Sequence, residues 1–269
     1  MKKILLAFCA VAALAACSHN ASTTPQSRTL VLYYSQNGAT QTVAEELQRQ
    51  LSADIEALQL VSPYDGDFQQ TIERSSQERE NGTLPELLPL GVDLADYDTV
   101  YLGFPVWYGT YALPIASLLA DQHFEGKVLV PFCTFGSGGL QSSVDALTLD
   151  LPQAVVLPGF GIRSARLDHV AQELDRFLIE YGLKPGTIEA LPAFMEHHPV
   201  TADEAALFHQ ACDGYQFPLG TPVDVAVRET KNSTDYEFSA QSDNGSLSTV
   251  YVTLAKTEGA QAEFTLVVR

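Results

Sequence analysis

The sequence predicts an α/β fold, a doubly wound parallel sheet with helices on both faces, followed by a small antiparallel β module. Three observations predict it. Five short apolar runs alternate with stretches of helical spacing between residues 30 and 181, and parallel neighbours need crossover helices while becoming buried on both faces. The turns after the first, third and fourth runs are rich in glycine, hydroxyls or aromatics and open on the carboxyl edge of such a sheet, where ligands bind. Beyond about residue 199 the pattern changes to period-two alternation separated by turn residues.

Leu30-Val31-Leu32-Tyr33-Tyr34 is the first strand, and Val43, Ala44, Leu47 and Leu51 after it recur on one helix face. Ser35-Gln36-Asn37-Gly38-Ala39-Thr40 is therefore a strand-to-helix turn. Its hydroxyls, amide and free backbone N–H groups converge on the positive end of a helix, which makes an anion cradle. Alone, the stretch reads equally as a helix start capped by Ser35 or Asn37. A second strand spans 55–60 and ends at Ser62-Pro63-Tyr64-Asp65-Gly66, and 68–80 is a polar helix that Asn81-Gly82 and Pro85 break. Strands follow at 99–104, 127–132 and 154–158, with helices at 113–119, at 140–147 and through Leu167, Val170, Leu174, Phe177 and Leu178.

The second ligand-facing turn, Gly103-Phe104-Pro105-Val106-Trp107-Tyr108-Gly109-Thr110-Tyr111-Ala112-Leu113-Pro114, carries the only tryptophan of the chain. Aromatic rings there suit a flat ligand, the lesser alternative being that Trp107 seals the top of the core. The third turn, Thr134-Phe135-Gly136-Ser137-Gly138-Gly139, offers hydroxyls and bare N–H groups with no charge. That chemistry suits the polar edge of a heteroaromatic ring. A phosphate cradle, an aromatic clamp and a ring-edge binder together describe a site for flavin mononucleotide (FMN).

On those three ordered motifs, the first turn, the Gly-Phe-Pro-x-Trp-Tyr-Gly loop at 103–109 and the Pro-Phe-Cys-Thr-x-Gly turn at 131–136, the segment 29–182 resembles the flavodoxin-like family. The resemblance implies a five-stranded sheet in the order 2-1-3-4-5 and non-covalently bound FMN. It implies that Ser35, Asn37, Gly38, Ala39 and Thr40, with Gln36 in the same turn, bind the phosphate. Trp107 and Tyr108, flanked by Pro105, Val106 and Gly109, would lie against the ring, and Thr134, Phe135, Gly136, Ser137 and Gly138 would meet its edge. With aromatic cover and no cation in the three turns, the site would disfavour an anionic reduced ring and lower the reduction potential.

The C-terminal module begins with a helix at 203–212. Alternating runs follow at Val223, Val225 and Val227, at Tyr236 and Phe238, at Val250, Val252 and Leu254, and at Phe264, Leu266 and Val268. Lys231-Asn232, Asp243-Asn244-Gly245 and Glu258-Gly259 supply the turns. So small a module is marginal alone and is expected to pack on the larger domain.

Met1-Lys2-Lys3 and the apolar run 4–16 have the form of an export signal too short to anchor in a bilayer. Leu14-Ala15-Ala16-Cys17 is similar to the lipobox of bacterial lipoproteins, which implies cleavage before Cys17 and its lipidation. By the same resemblance, Ser18 implies the outer membrane of a Gram-negative cell, facing the periplasm. Several acyl chains on one residue give firm attachment. The chain thus divides into a signal peptide at 1–16, a lipidated tether at 17–27, a flavodoxin-like domain at 28–190 and a β-rich module at 200–269.

Loss of Lys2 and Lys3 leaves 13 of the 15 basic residues against 33 acidic ones, a net charge near −20. That surface argues against nucleic-acid binding and fits a redox protein partner with a basic docking face. Cys133 and Cys212 sit in apolar surroundings and read as free thiols, with a disulfide between them left open. Glu196-His197-His198 lacks helical ligand spacing and reads as a solvated loop. His209 reads as a packed core histidine. Neither a catalytic side chain nor a metal site is assigned. The leading function is an FMN-dependent electron carrier or oxidoreductase on the periplasmic side of the membrane. The alternatives are an FMN-dependent NAD(P)H:quinone-type oxidoreductase, against which the lack of a second dinucleotide glycine motif counts, and a cofactor-free scaffold.

Overall fold

The computed structural model describes residues 28–215 and 217–268, so the signal at 1–16, Cys17 and the tether at 17–27 lie outside the described residues. The first half of the described chain runs β1 (Thr29–Tyr33), α1 (Ala39–Leu51), β2 (Asp54–Ala57), α2 (Phe68–Asn81), β3 (Thr99–Trp107) and β4 (Thr110–Tyr111). It continues through α3 (Leu113–Asp121), β5 (Val128–Phe135), α4 (Leu140–Asp150), β6 (Val155–Val156), β7 (Phe160–Arg163) and α5 (Val170–Glu180). The parallel strands lie in the order β2-β1-β3-β5, and β6 and β7 both pair with β5 on its far side. This is the order 2-1-3-4-5 with the last strand in two pieces.

The split corrects the strand expected at 154–158. Pro158 has no N–H to give to a ladder, so pairing stops at Val156 and resumes at Phe160. The longer piece therefore ends at Arg163, five residues beyond the expected end.

Successive strand residues face opposite sides, and both sides are apolar. Leu30, Leu32, Val100, Leu102 and Leu129 pack beneath one face, and Val31, Tyr33, Tyr101, Val130 and Phe132 beneath the other. Burial of each such side chain contributes about 1.5–3 kcal/mol. Gly103 is required where β3 crosses Phe132, because a Cβ there would stand 2.1 Å from the ring Cζ.

The second half forms β8 (His198–Pro199), α6 (Ala202–Ala211), β9 (Thr221–Glu229), β10 (Ser233–Gln241), β11 (Leu247–Ala255) and β12 (Ala262–Val268). The strands make an antiparallel sheet in the order β12-β11-β10-β9-β8. Helix α6 starts at a capping box between Thr201 and Glu204 and seats Phe208 edge-on against Phe238, 5.1 Å between centroids. Two expectations are corrected here. His209 is exposed and its neighbour Phe208 fills the core, because the apolar face of α6 passes through 208. His197 stays exposed, but both it and His198 are paired with carboxylates. His198 belongs to the edge strand and meets Glu204 at 2.9 Å, while His197 is held by Asp224 and Glu237. Leu266 of β12 leaves the module's own core and packs on the core of the parallel sheet, so the module packs on the larger domain.

Cys133 and Cys212 are both free thiols. Burial pushes the Cys133 thiol far up, and burial raises Cys212 to about 11. Among the described residues no helix is long and apolar enough to cross a membrane.

Candidate functional site

The three turns meet above the carboxyl ends of β1, β3 and β5. The Tyr34 N–H donates to the Gly103 carbonyl at 2.9 Å, which ties the first turn to β3. The hydroxyls of Thr40 and Thr134, both buried, share a hydrogen bond of 2.9 Å that ties the first turn to the third. The third reaches the second through Ser142, whose hydroxyl donates to the Gly109 carbonyl, and through Gly139, where a Cβ would stand 2.5 Å from Val106 Cγ1.

In the first turn Gly38 takes φ +88° at the start of α1, which has no side-chain cap. Asn37 Oδ1 accepts from the Ala39 N–H at 3.2 Å. The N–H groups of Asn37, Gly38, Thr40 and Gln41 find no partner among the described residues. Ser35 Oγ is buried beside them and is also without a partner, a state that costs about 1–3 kcal/mol unless something fills it. A Cβ on Gly38 would meet nothing within 4 Å, so the space above it is open. Free amides, an uncompensated hydroxyl and a helix N-terminus around open space suit a phosphate. The Gln36 side chain points elsewhere, donating to Thr71 Oγ1 at 2.9 Å and tying the turn to α2.

The second turn is tighter than the loop expected. β3 runs on to Trp107 and reverses at Tyr108-Gly109 into β4, with Trp107 opposite Thr110 and Val106 opposite Tyr111. Both central residues have positive φ, +52° and +80°, the requirement of the two-residue hairpin turn whose twist matches the strands. Tyr108 pays for that conformation in backbone strain, and its hydroxyl is anchored to α2 by Ser75 at 2.9 Å, Ser76 at 2.8 Å and the Ile72 carbonyl at 3.1 Å. Its ring stays half exposed, with Arg79 over it at 5.1 Å. Trp107 meets Tyr34 and Tyr64 edge-on at 6.0 and 5.1 Å, so it both seals the core and walls the site. Burial raises the phenols of Tyr34 and Tyr64 well above their ordinary value, and the hydrogen bond to Glu78 adds to it at Tyr64. Both stay neutral.

In the third turn Thr134 and Phe135 end β5, buried, and the N–H groups of Ser137, Gly138 and Gly139 find no partner among the described residues. Arg163 at the end of β7 donates from Nε to the Gly136 carbonyl at 2.9 Å. This overturns the expectation of a site without a nearby cation: a positive charge behind the ring-edge turn favours added negative charge in front of it.

Sequence reasoning gave no site role to Arg163, Tyr64 or the Ser75-Ser76 pair, nor to Thr110, although Thr110 lies in the second loop. Thr110 Oγ1 is buried without a partner, like Ser35 Oγ, and its place directly after the aromatic motif was a usable signal. Nothing local marks Arg163, which lies 27 residues from its carbonyl partner.

Comparison with known proteins follows the same outline. The profile of the family described as Flavodoxin matches residues 28–175. A solved structure of a candidate flavoprotein from Bacteroides uniformis is 27% identical, with TM-score 0.50, covering 55% of this chain and 98% of its own. One from Bacteroides eggerthii is 23% identical, with TM-score 0.51, covering 59% of this chain and 100% of its own. A flavoprotein from Lactobacillus acidophilus, solved in complex with FMN, is 23% identical with TM-score 0.47 and covers 56% and 98%. No curated protein matches the chain significantly. The profile match spans more than half of the 269 residues and takes in all three turns: the chain belongs to the flavodoxin family.

Proposed function

We propose that the chain binds FMN at the meeting point of the three turns and serves as an electron carrier, held by a lipid at Cys17 on the periplasmic face of a Gram-negative outer membrane. The observation that carries the reading is the buried, partnerless Ser35 Oγ at the uncapped start of α1. It supplies a hydroxyl donor whose missing hydrogen bond a phosphate would complete. Family membership and the description of the Bacteroides uniformis relative as a candidate flavoprotein support the same ligand.

FMN, when bound, supplies reversible one- and two-electron chemistry. This chain's residues hold and tune it. The amides around Gly38 and the hydroxyls of Ser35 and Thr40 would take the phosphate. Trp107 and Tyr108 would exclude water beside the ring, and the bare N–H groups of Ser137, Gly138 and Gly139 would donate to its polar edge. Arg163 would offset negative charge there. The strongly acidic surface would steer a basic redox partner, and cleavage before Cys17 with acylation would confine that encounter to the membrane surface.

The test is a titration of purified protein with FMN, following quenching of flavin fluorescence. One equivalent should bind, and the yellow protein should bleach quickly with a chemical reductant and only slowly with NAD(P)H. Failure to bind FMN would refute the cofactor. Rapid bleaching by NAD(P)H in a stopped-flow mixing experiment would move the assignment to the reductase class.

A further inference from the structure

The C-terminal module, which lies beyond the family match at 28–175, reaches the third turn. Arg163 sits in register beside Phe135 at the end of β5. Its Nε donates to the Gly136 carbonyl at 2.9 Å while its Nη1 donates to the Phe264 carbonyl of β12 at 2.6 Å. Its guanidinium lies over the Phe264 ring, 4.1 Å from the centroid. Beside it Arg166 joins Glu263 of β12 to Glu173 of α5. A Cβ on Gly138 would stand 3.2 Å from the Val267 carbonyl. β12 therefore runs past the ring-edge turn at close range, clamped by one planar fork whose donors have fixed directions.

The clamp sets the direction of a peptide. Carbonyl and amide point opposite ways across a trans peptide, and the described residues contain no cis peptide. With the Gly136 carbonyl turned to Arg163, the Ser137 N–H is turned to the other side of the turn, where it has no partner among the described residues. A Cβ on Gly136 would meet nothing within 4 Å, so the turn has open space beside it and is not held there by packing.

We propose that Arg163 is a positioning residue for the flavin ring: by bridging the Gly136 and Phe264 carbonyls, it makes the C-terminal module a structural part of the ring-edge site. This rests on the FMN reading above. The module is then a brace on ring binding and leaves phosphate binding alone.

The experiment uses the whole protein and three probes, FMN, riboflavin and inorganic phosphate, the last as a competitor of FMN. Arg163→Met keeps an unbranched apolar stem that reaches to about the Nε position and removes both donors. It should weaken FMN and riboflavin by the same factor, about tenfold or more for lost hydrogen bonds from a charged group, with phosphate competition unchanged. Arg163→Lys retains the charge but cannot span both carbonyls, so it should recover only part of the loss. Arg49→Met, on α1 where Arg49 pairs with Glu46, should change nothing. If Arg163→Met does not fold, Phe264→Leu removes the stacked ring and should give a smaller loss with the same pattern. Wild type binding FMN while Arg163→Met binds within twofold overturns the proposal and leaves the cofactor reading standing. Equal weakening of phosphate, or loss for FMN without loss for riboflavin, also overturns it. Wild type that binds neither flavin removes both.

Discussion

Replacing Ser35 with alanine should move stability and binding in opposite directions. Ser35 Oγ is buried in the first turn without a hydrogen-bond partner. Desolvating a hydroxyl that finds no partner costs about 1–3 kcal/mol. The substitution removes one oxygen and leaves the backbone of the turn free to keep its shape, so the flavin-free protein should gain about 1 kcal/mol. In the complex the same hydroxyl would donate to a charged phosphate oxygen. Loss of such a bond costs about 1.5–3 kcal/mol, which is about a ten- to hundredfold rise in Kd. Urea unfolding followed by the fluorescence of Trp107, the sole tryptophan, reads the first quantity, and FMN titration reads the second. A Ser35→Ala protein that is less stable without flavin, or that binds FMN as tightly as wild type, would refute the assignment of this hydroxyl to the phosphate.

Other substitutions probe the framework of the site. Thr40→Val and Thr134→Val should each cost about 1–3 kcal/mol by stranding the other hydroxyl, and the double variant should cost less than their sum by at least about 0.5 kcal/mol; additive urea-denaturation energies would mean that the 2.9 Å bond contributes nothing. Gly103→Ala drives a methyl into the Phe132 ring and should cost about 1–3 kcal/mol, seen as a lowered Tm; an unchanged Tm contradicts the packing. The hydrogen bond to Asp224, aided by that to Glu237, raises the pKa of His197 above its ordinary 6.5. Its contribution is complete below the unfolded value and disappears as pH rises through the folded one. Because His197 is exposed the effect is small: wild type should lose slightly more stability than His197→Gln as pH rises above the ordinary 6.5, and parallel pH profiles would rule the pairing out.

The elements were legible where their causes are local. Apolar periodicity located α1, α4 and the buried strands within a few residues, because each must bury one face or two. Pro158 was equally local, yet its effect was to divide a strand, and reading it as a strand end displaced Arg163 from the sheet edge. The first and third turns could be read as binding loops because glycine and hydroxyls stand next to strand ends. The anchoring of Tyr108 by Ser75 and Ser76, 33 and 32 residues earlier on α2, and the bridge from Arg163 to Phe264, 101 residues on, depend on how separate elements pack. No pattern along the chain carries that information.

Three helices that start at the ligand-facing edge leave their first amides uncapped. α2 and α6 each begin with a complete capping box, at Asp67-Gln70 and Thr201-Glu204. α1, α3 and α4, which begin at the ligand-facing edge, have no side-chain cap, and α1 and α4 start at glycines with φ of +88° and +107°. The two site hydroxyls without partners, Ser35 and Thr110, and the strained backbone of Tyr108 lie along the same edge. Uncapped starts forgo about 0.5–2 kcal/mol each, and strain and orphaned hydroxyls add costs of similar size. The costs gathered on this rim are those a bound anion and a flat ring would offset: amides left free by the missing caps are the amides a phosphate uses. Filling them with protein groups would stabilise the fold and abolish the site.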